Sequence, residues 1–254
     1  MSIFKKVLRT LLRTVLLLAV LAALAALTLA LLRYQGYILL PDEADPPEWQ
    51  VFGVDVSTYQ GQVDWPVLAG QGVDFAFIKA TEGSGLRDVR FQENWSGAQA
   101  AGVRPGAYHF FSYDSPGECQ AQNFIDTVPV TPGALPPVVD IEFYGSYLEH
   151  PADPAAVKPI LAPLLDALEE HYGVKPILYA TYRSYRLYLS GREYRDYPLW
   201  MSSPLAAPLL YDWDFWQYSH TARLEGYEGR EQRIDLNVFH GSRRAFDTFG
   251  LPAA

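Results

Sequence analysis

Residues 136–143 read Pro-Pro-Val-Val-Asp-Ile-Glu-Phe, and this short run constrains the fold more tightly than any other feature. Val138, Val139, Ile141 and Phe143 leave few solvated positions, the pattern of a strand covered on both faces in a parallel sheet. Parallel neighbours need crossover connections, usually helical, so the run already implies an α/β chain. Acids at the end of such a strand need a reason. Side chains alternate across a strand, so Asp140 and Glu142 share one face while Ile141 takes the other. A rise of about 3.3 Å per residue sets their Cα atoms roughly 6.6 Å apart, close enough for both carboxyls to reach one sugar ring. An arbitrary D-x-E more often lies on the solvent face of an edge strand. Here the apolar flanks argue instead for the outline of a glycosidase site.

The rest of the chain supplies the partners. Apolar, β-rich stretches at 51–56, 73–81, 106–112, 138–142 and 177–181 alternate with helix-compatible stretches at 65–70, 91–101, 116–127 and 153–172. Strand, helix, strand in repetition predicts parallel pairing. Asp153-Pro154 suits an N-cap and first helical residue and Gly173 a stop, while Val157, Ile160, Leu161, Leu164, Leu165 and Leu168 follow helical spacing. Pro159 and Pro163 interrupt that pattern, which predicts either a kink or a regular helix that begins near Pro159. After Thr181 the helices shrink, and 198–202, 215–219 and 234–239 read as strands joined by short segments. The expectation is a barrel of eight strands with about five helices and a simplified second half.

Two more acids fall on this scheme. In Val51–Ser57, alternation puts Phe52, Val54 and Val56 on one face and Gly53 and Asp55 on the other. In a barrel that second face is the interior near the C-terminal rim, where the active sites of such barrels lie. Alone, Asp55-Val56-Ser57 reads equally well as a turn or helix-cap signal. Asp235 lies in the last apolar alternation, 233–239, where a salt bridge to Arg233 or another arginine is the structural alternative. Trp200, Trp213, Trp216, Gln217 and Tyr218 lie on the preceding strands, and Trp216-Gln217-Tyr218 would suit a sugar platform with a hydrogen-bonding edge, although each residue singly also suits a core.

Other chemistries drop out. His109, His150, His171, His220 and His240 lack metal-ligand spacing, Cys119 has no nucleophile motif around it, and Gly83-Ser84-Gly85 lacks the Gly-Lys-Ser/Thr of a phosphate loop. Cys119 is the single cysteine, so an intrachain disulfide is excluded.

The N-terminus sets where the domain works. Thr14–Leu32 contains no charge and at about 1.5 Å per helical residue spans roughly 28 Å, close to the hydrocarbon thickness of a bilayer. Lys5, Lys6, Arg9 and Arg13 precede it and Arg33 follows, which places residues 1–13 in the cytoplasm and the remainder outside. A cleaved signal peptide is the rival reading; its apolar core is usually about 7 to 15 residues long and ends at a small-x-small site. Residues 33–49, with Pro41, Pro46, Pro47 and several acids, read as an extracellular linker. The first 33 residues hold five of the 20 basic residues and no acid, so the remainder carries 15 basic against 29 acidic residues, or −14. Such a domain will not seek nucleic acid.

With these pieces assembled, Phe52–Phe239 resembles glycoside hydrolase family 25, the lysozyme-like muramidases of bacteria, phages and some fungi. The residues that carry the resemblance are Gly53-Val54-Asp55-Val56-Ser57, Tyr59-Gln60-Gly61, Val63-Asp64-Trp65, Phe77–Gly83, Ala101–Phe110, Val139-Asp140-Ile141-Glu142, Trp216-Gln217-Tyr218 and Ile234-Asp235-Leu236-Asn237. The resemblance implies a TIM-like barrel of (β/α)5(β)3 type, here over residues 50–247, and retaining cleavage of the β-1,4 bond between N-acetylmuramic acid and N-acetylglucosamine. It implies no metal and no cofactor. It makes Glu142 the proton donor, Asp140 its stabilising partner, and Asp55 and Asp235 the remaining acids of the pocket. Tyr108, Tyr179, Trp200, Trp216 and Gln217 are expected to bind substrate. The expected partners are peptidoglycan glycan strands and, through the N-terminal helix, a membrane; a single-pass monomer is expected, with its catalytic domain outside the cell. Many members add wall-binding repeats where this chain has an apolar N-terminal segment. A non-catalytic wall-binding barrel is the alternative function. A chitinase-like barrel would need D-x-x-D-x-D-x-E, and Leu135-Pro136-Pro137-Val138 offers no upstream acids.

Mechanistically, Glu142 must stay protonated near neutrality, and burial together with the charges of Asp140 and Asp55 would raise its pKa. Asp140 is then expected to stay ionised. A direct nucleophile wants carboxyls about 5 to 5.5 Å apart, which an i, i+2 pair on one strand tends to exceed. Attack by the substrate's own 2-acetamido oxygen explains retention more easily; a covalent Asp140 intermediate is the other route.

Overall fold

The computed structural model describes residues 3–34, 50–204, 207–208 and 212–252, in two compact units, Met1–Asp42 and Glu43–Ala254. The first unit is a helix, α1 (Ile3–Tyr34), roughly 48 Å long at 1.5 Å per residue. It begins well before the uncharged stretch, so Lys5, Lys6, Arg9 and Arg13 lie on it, and its apolar side chains between Val7 and Leu31 are exposed. It is long and apolar enough to cross a bilayer, a test that an export signal also passes. Most of the expected linker, residues 35–49, lies outside the described residues.

The second unit is built on one sheet. Its strands are β1 (Phe52–Val56), β2 (Phe75–Glu82), β3 (Leu86–Arg87), β4 (Arg104–Phe110), β5 (Val138–Ile141), β6 (Ile177–Thr181), β7 (Leu199–Ser202), β8 (Phe215–Ala222) and β9 (Ile234–Phe239). The order β1-β9-β8-β7-β6-β5-β4-β2, with β1 also pairing β2, closes an eight-stranded barrel, and β3 is a short antiparallel appendage on β2. Crossovers run through α2 (Trp65–Gly70), α3 (Phe91–Ala100), α4 (Gly117–Ile125), α5 (Pro154–Tyr172) and the short α6 (Tyr182–Ser184), which continues into one π turn. A last helix, α7 (Arg243–Thr248), follows β9. The expected (β/α)5(β)3 barrel is therefore the one observed.

One strand departs from uniform parallel pairing. β9 runs antiparallel to both β8 and β1. Residues 223–233 make a hairpin connection, whereas a parallel return would need a crossover along the whole barrel. α5 also settles the proline alternatives, since it is helical from Pro154 straight through Pro159 and Pro163 to Tyr172. Asp153 caps it by accepting from the Ala155 N–H at 2.8 Å, and Gly173 ends it in the left-handed region at φ 72°. Burial of Val157, Leu161, Leu164, Leu165 and Leu168 offsets the two hydrogen bonds that the prolines cannot make.

Strand alternation produces two cores. Val54, Val56, Ile78, Val139, Ile141, Leu178, Ala180 and Met201 face outward onto the helices. Phe75, Phe77, Val138, Ile177, Trp200, Phe215 and Phe239 point inward and are joined by Phe246 of α7. Gly53 belongs to the inner set because a Cβ there would lie 2.4 Å from the Phe75 ring. The seam between the barrel's two chain ends is equally close. A Cβ on Gly229 would lie 2.2 Å from the Tyr59 carbonyl oxygen, the Glu231 N–H donates to that same oxygen at 2.9 Å, and the Gln60 side chain donates to the Arg233 carbonyl at 3.2 Å.

Candidate active site

At the C-terminal rim the inward positions become polar. β1 contributes Asp55, and β5 contributes Asp140 with Glu142 one residue past its end. The reversal of β9 puts its N-terminal end at this rim, so Asp235 arrives directly opposite Asp55 in the register. Two amides hold that pair. Gln217 Nε2 donates to Asp55 Oδ2 at 2.9 Å and to Asp235 Oδ2 at 3.0 Å, and Asn237 Nδ2 donates to Asp55 Oδ2 at 2.9 Å. The orientation of each amide is set from behind by a buried donor. The Tyr179 hydroxyl donates to Gln217 Oε1 at 3.0 Å, and the Trp200 indole N–H donates to Asn237 Oδ1 at 2.8 Å. With both amide oxygens so engaged, both NH2 groups turn to the acids.

Burial dominates the electrostatics. It pushes Asp55 up to about 6 against the hydrogen bonds from Asn237 and Gln217. It also raises Asp235, helped by the charges of Asp55 and Glu142. Glu142 is pushed up to about 7 by burial and by the Asp55 charge, opposed by Lys79. Asp140 is raised well above the usual range by burial and by the Glu142 charge, and its Oδ1 is buried with no hydrogen-bond partner among the described residues. Burial therefore works against the ionised Asp140 expected from the sequence. With no donor facing Oδ1, the neutral acid is favoured there.

The expected substrate residues separate. Tyr108 is half-buried on the inward face against the inner core. Tyr179 is buried and its hydroxyl is engaged by Gln217, whose own side chain holds two of the acids. Trp200 needs correction: it is 2% exposed, stacks on Phe77 at 4.3 Å between centroids and forms the wall behind Asn237 rather than an open platform. Trp216 needs one too. With Phe215 and Gln217 inward, alternation turns Trp216 outward, where it packs on Trp213 and Tyr218 and donates to the Ser203 carbonyl at 2.9 Å.

Other groups at this rim were not anticipated from sequence. Lys79 and Glu82 pair at 2.7 Å, and Asn237 belongs to the acid network. Past β5, Tyr144 and Tyr147 gather around Tyr113, with centroids 5.6 and 4.7 Å from its ring, and the Tyr113 hydroxyl donates to the Glu142 carbonyl at 3.0 Å. That bond fixes the backbone that carries Glu142. The only sequence signal for this cluster is the local density of tyrosines. Among the described residues, no group of three or more His, Cys, Asp or Glu side chains is disposed to hold a metal ion. The chemistry available is that of buried carboxyls: one poised near neutrality, one lacking a donor, and two bridged by an amide.

Known proteins resemble the unit that carries this site. The profile described as glycosyl hydrolases family 25 matches residues 54–227. The uncharacterized protein YegX of Escherichia coli O157:H7 is 32% identical over 212 residues, 80% of this chain and 75% of that protein. Lysozyme M1 of Streptomyces globisporus is 31% identical over 205 residues, 76% of this chain and 68% of that protein. The solved structure of a family 25 glycosyl hydrolase from Bacillus anthracis superimposes with a TM-score of 0.76 at 45% identity, covering 81% of this chain and 96% of that one. Profile, relatives and fold coincide on the unit that holds the acids, and the chain belongs to glycosyl hydrolase family 25, with the peptidoglycan-directed glycoside hydrolase activity of that family.

Proposed function

We propose that the protein is a membrane-tethered N-acetylmuramidase that cleaves the β-1,4 bond between N-acetylmuramic acid and N-acetylglucosamine with retention, Glu142 acting as proton donor. The observation that carries this reading is the contrast between neighbouring acids. Glu142 lies near 7, able to give and retake a proton at neutral pH, while Asp140 Oδ1 is buried without a donor. A 2-acetamido N–H is the donor that Asp140 lacks. On binding, Asp140 gives its proton to solvent and accepts the acetamido N–H as a carboxylate; in the proposed first step the acetamido oxygen then attacks C1 of the muramic acid ring, and that carboxylate offsets the positive charge of the cyclic intermediate. Glu142 protonates the leaving oxygen of N-acetylglucosamine as the glycosidic bond breaks. In the second step Glu142, now a carboxylate, takes a proton from water; the hydroxide attacks C1 from the side of the departed sugar and reopens the acetamido ring, which returns Glu142 to the acid, and Asp140 regains its proton from solvent when product leaves. Two inversions at C1 give retention. Asp55 and Asp235 are not on the substrate in this scheme; the negative charge of Asp55 keeps Glu142 from ionising too early.

The tether is α1, with Lys5, Lys6, Arg9 and Arg13 toward the cytoplasm and the barrel of residues 50–247 outside. Residues 33–49, extended at about 3.3–3.6 Å each, would reach at most roughly 55–60 Å, which restricts the enzyme to wall glycan near the membrane. The test is digestion of purified peptidoglycan by the full chain in mild detergent. New N-acetylmuramic acid reducing ends are expected, and new N-acetylglucosamine ends, or none, would sink the activity. Separately, a shortened protein that leaves the membrane fraction would rule out the tether.

A further inference from the structure

Neither Lys79 nor Glu82 takes part in the cleavage steps, yet both reach the pocket through an irregularity of β2. Its register against β4 shifts between Lys79 and Thr81. Thr81 thereby turns to the helix side, where its hydroxyl meets His109 Nδ1 at 2.7 Å, and Glu82 joins Lys79 on the inward face. In an unbroken strand, residues 79 and 82 would point to opposite faces. The Lys79 ammonium lies 2.7 Å from Glu82 Oε2 and 4.8 Å from the centroid of the Phe110 ring. Phe110 pairs in register with Glu82 on one side and with Asp140 on the other. Neighbouring strands are about 4.8 Å apart, so the ammonium stands about one strand away from the acids of β5. The Lys79 side chain is 13% exposed, which leaves little solvent to screen it.

We propose that the Lys79–Glu82 ion pair is a positioning device for charge, setting the pH range over which Glu142 holds its proton. Lys79 alone would draw the proton off Glu142 too easily, and Glu82 tempers it. The inference rests on Glu142 as the proton donor. The other charged or titratable groups toward Glu142 are Asp55 of β1, Asp140 of β5 and Asp235 of β9, with the phenols Tyr108 of β4, Tyr179 of β6 and Tyr113, whose hydroxyl donates to the Glu142 carbonyl. The phenols stay neutral, and the remaining acids all act in the direction of keeping the proton on. Lys79 is the group that opposes them.

The pH dependence of kcat/KM for the full chain in detergent, on peptidoglycan, tests this, because the alkaline limb reports the free enzyme's acid. Glu82→Gln unmasks the cation, so the limb should move to lower pH by at least about half a unit. Lys79→Met should move it to higher pH by a similar amount, the double variant should return it toward wild type, and Lys79→Arg should leave it in place. Opposite shifts from the two halves of one ion pair cannot come from a structural contact alone. A common loss of rate with the limb unmoved, or two shifts of the same sign, would overturn the proposal. Melting curves in the same buffers identify any variant that does not fold, and Glu82→Gln with Lys79→Arg carries the test if Lys79→Met does not. Failure of the underlying reading looks different: the alkaline limb would then survive at near-normal rate in Glu142→Gln.

Discussion

At one end of the barrel interior, Phe75, Phe77, Phe215, Phe239 and Phe246 interlock with ring centroids 5.1–5.5 Å apart. At the other end the same ring of strands, read a few residues along the same inward face, carries Asp55, Asp140, Asp235, Gln217 and Asn237. The aromatic end excludes water and contributes stability through burial. The polar end lies on that dry floor, and the dryness is what raises all its acids. One end therefore makes the chemistry of the other possible, at a distance of a few residues along each strand.

The comparison can be broken hardest at the polar end. Glu142→Gln keeps the shape and removes the proton, and kcat should fall by about 10²–10⁴-fold with the melting temperature unchanged or raised. Near-normal turnover would mean that another acid is the donor. Phe75→Ala should do the reverse, costing about 3–5 kcal/mol in denaturant unfolding while kcat of the folded fraction stays close to wild type. A kcat collapse in the folded fraction would show that the two ends are not separable in this way.

Smaller changes sharpen the boundary between the ends. Trp200→Phe keeps the stack on Phe77 but deletes the N–H that orients Asn237. It should lower kcat by roughly five- to tenfold, the scale of one buried hydrogen bond of about 1 kcal/mol, and leave KM unchanged. A raised KM with unchanged kcat would instead fit a tryptophan that touches sugar. Asp235→Asn mimics the protonated acid, since an amide can accept from Gln217 and donate to Asp55. A carboxyl whose pKa is raised on folding contributes stability that is fully present below its unfolded value and is lost as pH rises through the folded one. For Asp55 that window runs from 3.8 to about 6, and Asp235 shifts in the same direction. The melting temperature of Asp235→Asn minus that of wild type should therefore grow with pH, reaching about 2–4 °C at pH 8. A difference that shrinks as pH rises would contradict carboxyls whose pKa is raised on folding.

Much of this architecture is legible in the amino-acid order because the barrel rests on local alternation. The strands at 177–181 and 234–239 and the helix at 65–70 appear with the expected bounds, and alternation alone sends Asp55 inward. What alternation cannot resolve is a strand apolar on both faces. In Phe215-Trp216-Gln217-Tyr218 neither face is marked by polarity, so Trp216 reads as a site residue although it faces the helix layer. The bulge in β2 is similarly silent. Nothing in Lys79-Ala80-Thr81-Glu82 signals a shift in register, and so a lysine and a glutamate that reading by twos sends to opposite faces meet in the pocket. The direction of β9 depends on a long-range choice, whether a connection folds back or crosses over, and that choice is made by the closed ring rather than by the strand.

The seam at Tyr59 and Gly229, together with the pairing of β9 on β1, has a consequence in time rather than in space. Asp55 lies near the start of the barrel sequence and Asp235 near its end, and they come to face each other only once 234–239 has docked beside 52–56. A chain emerging from a ribosome completes neither the ring nor the pocket until 234–239 has been added, because loop closure over some 180 residues precedes the final pairing. Synthesis thus carries its own delay: the nascent chain has no assembled acid cluster during elongation, and the hydrolase comes into being only when the whole barrel does.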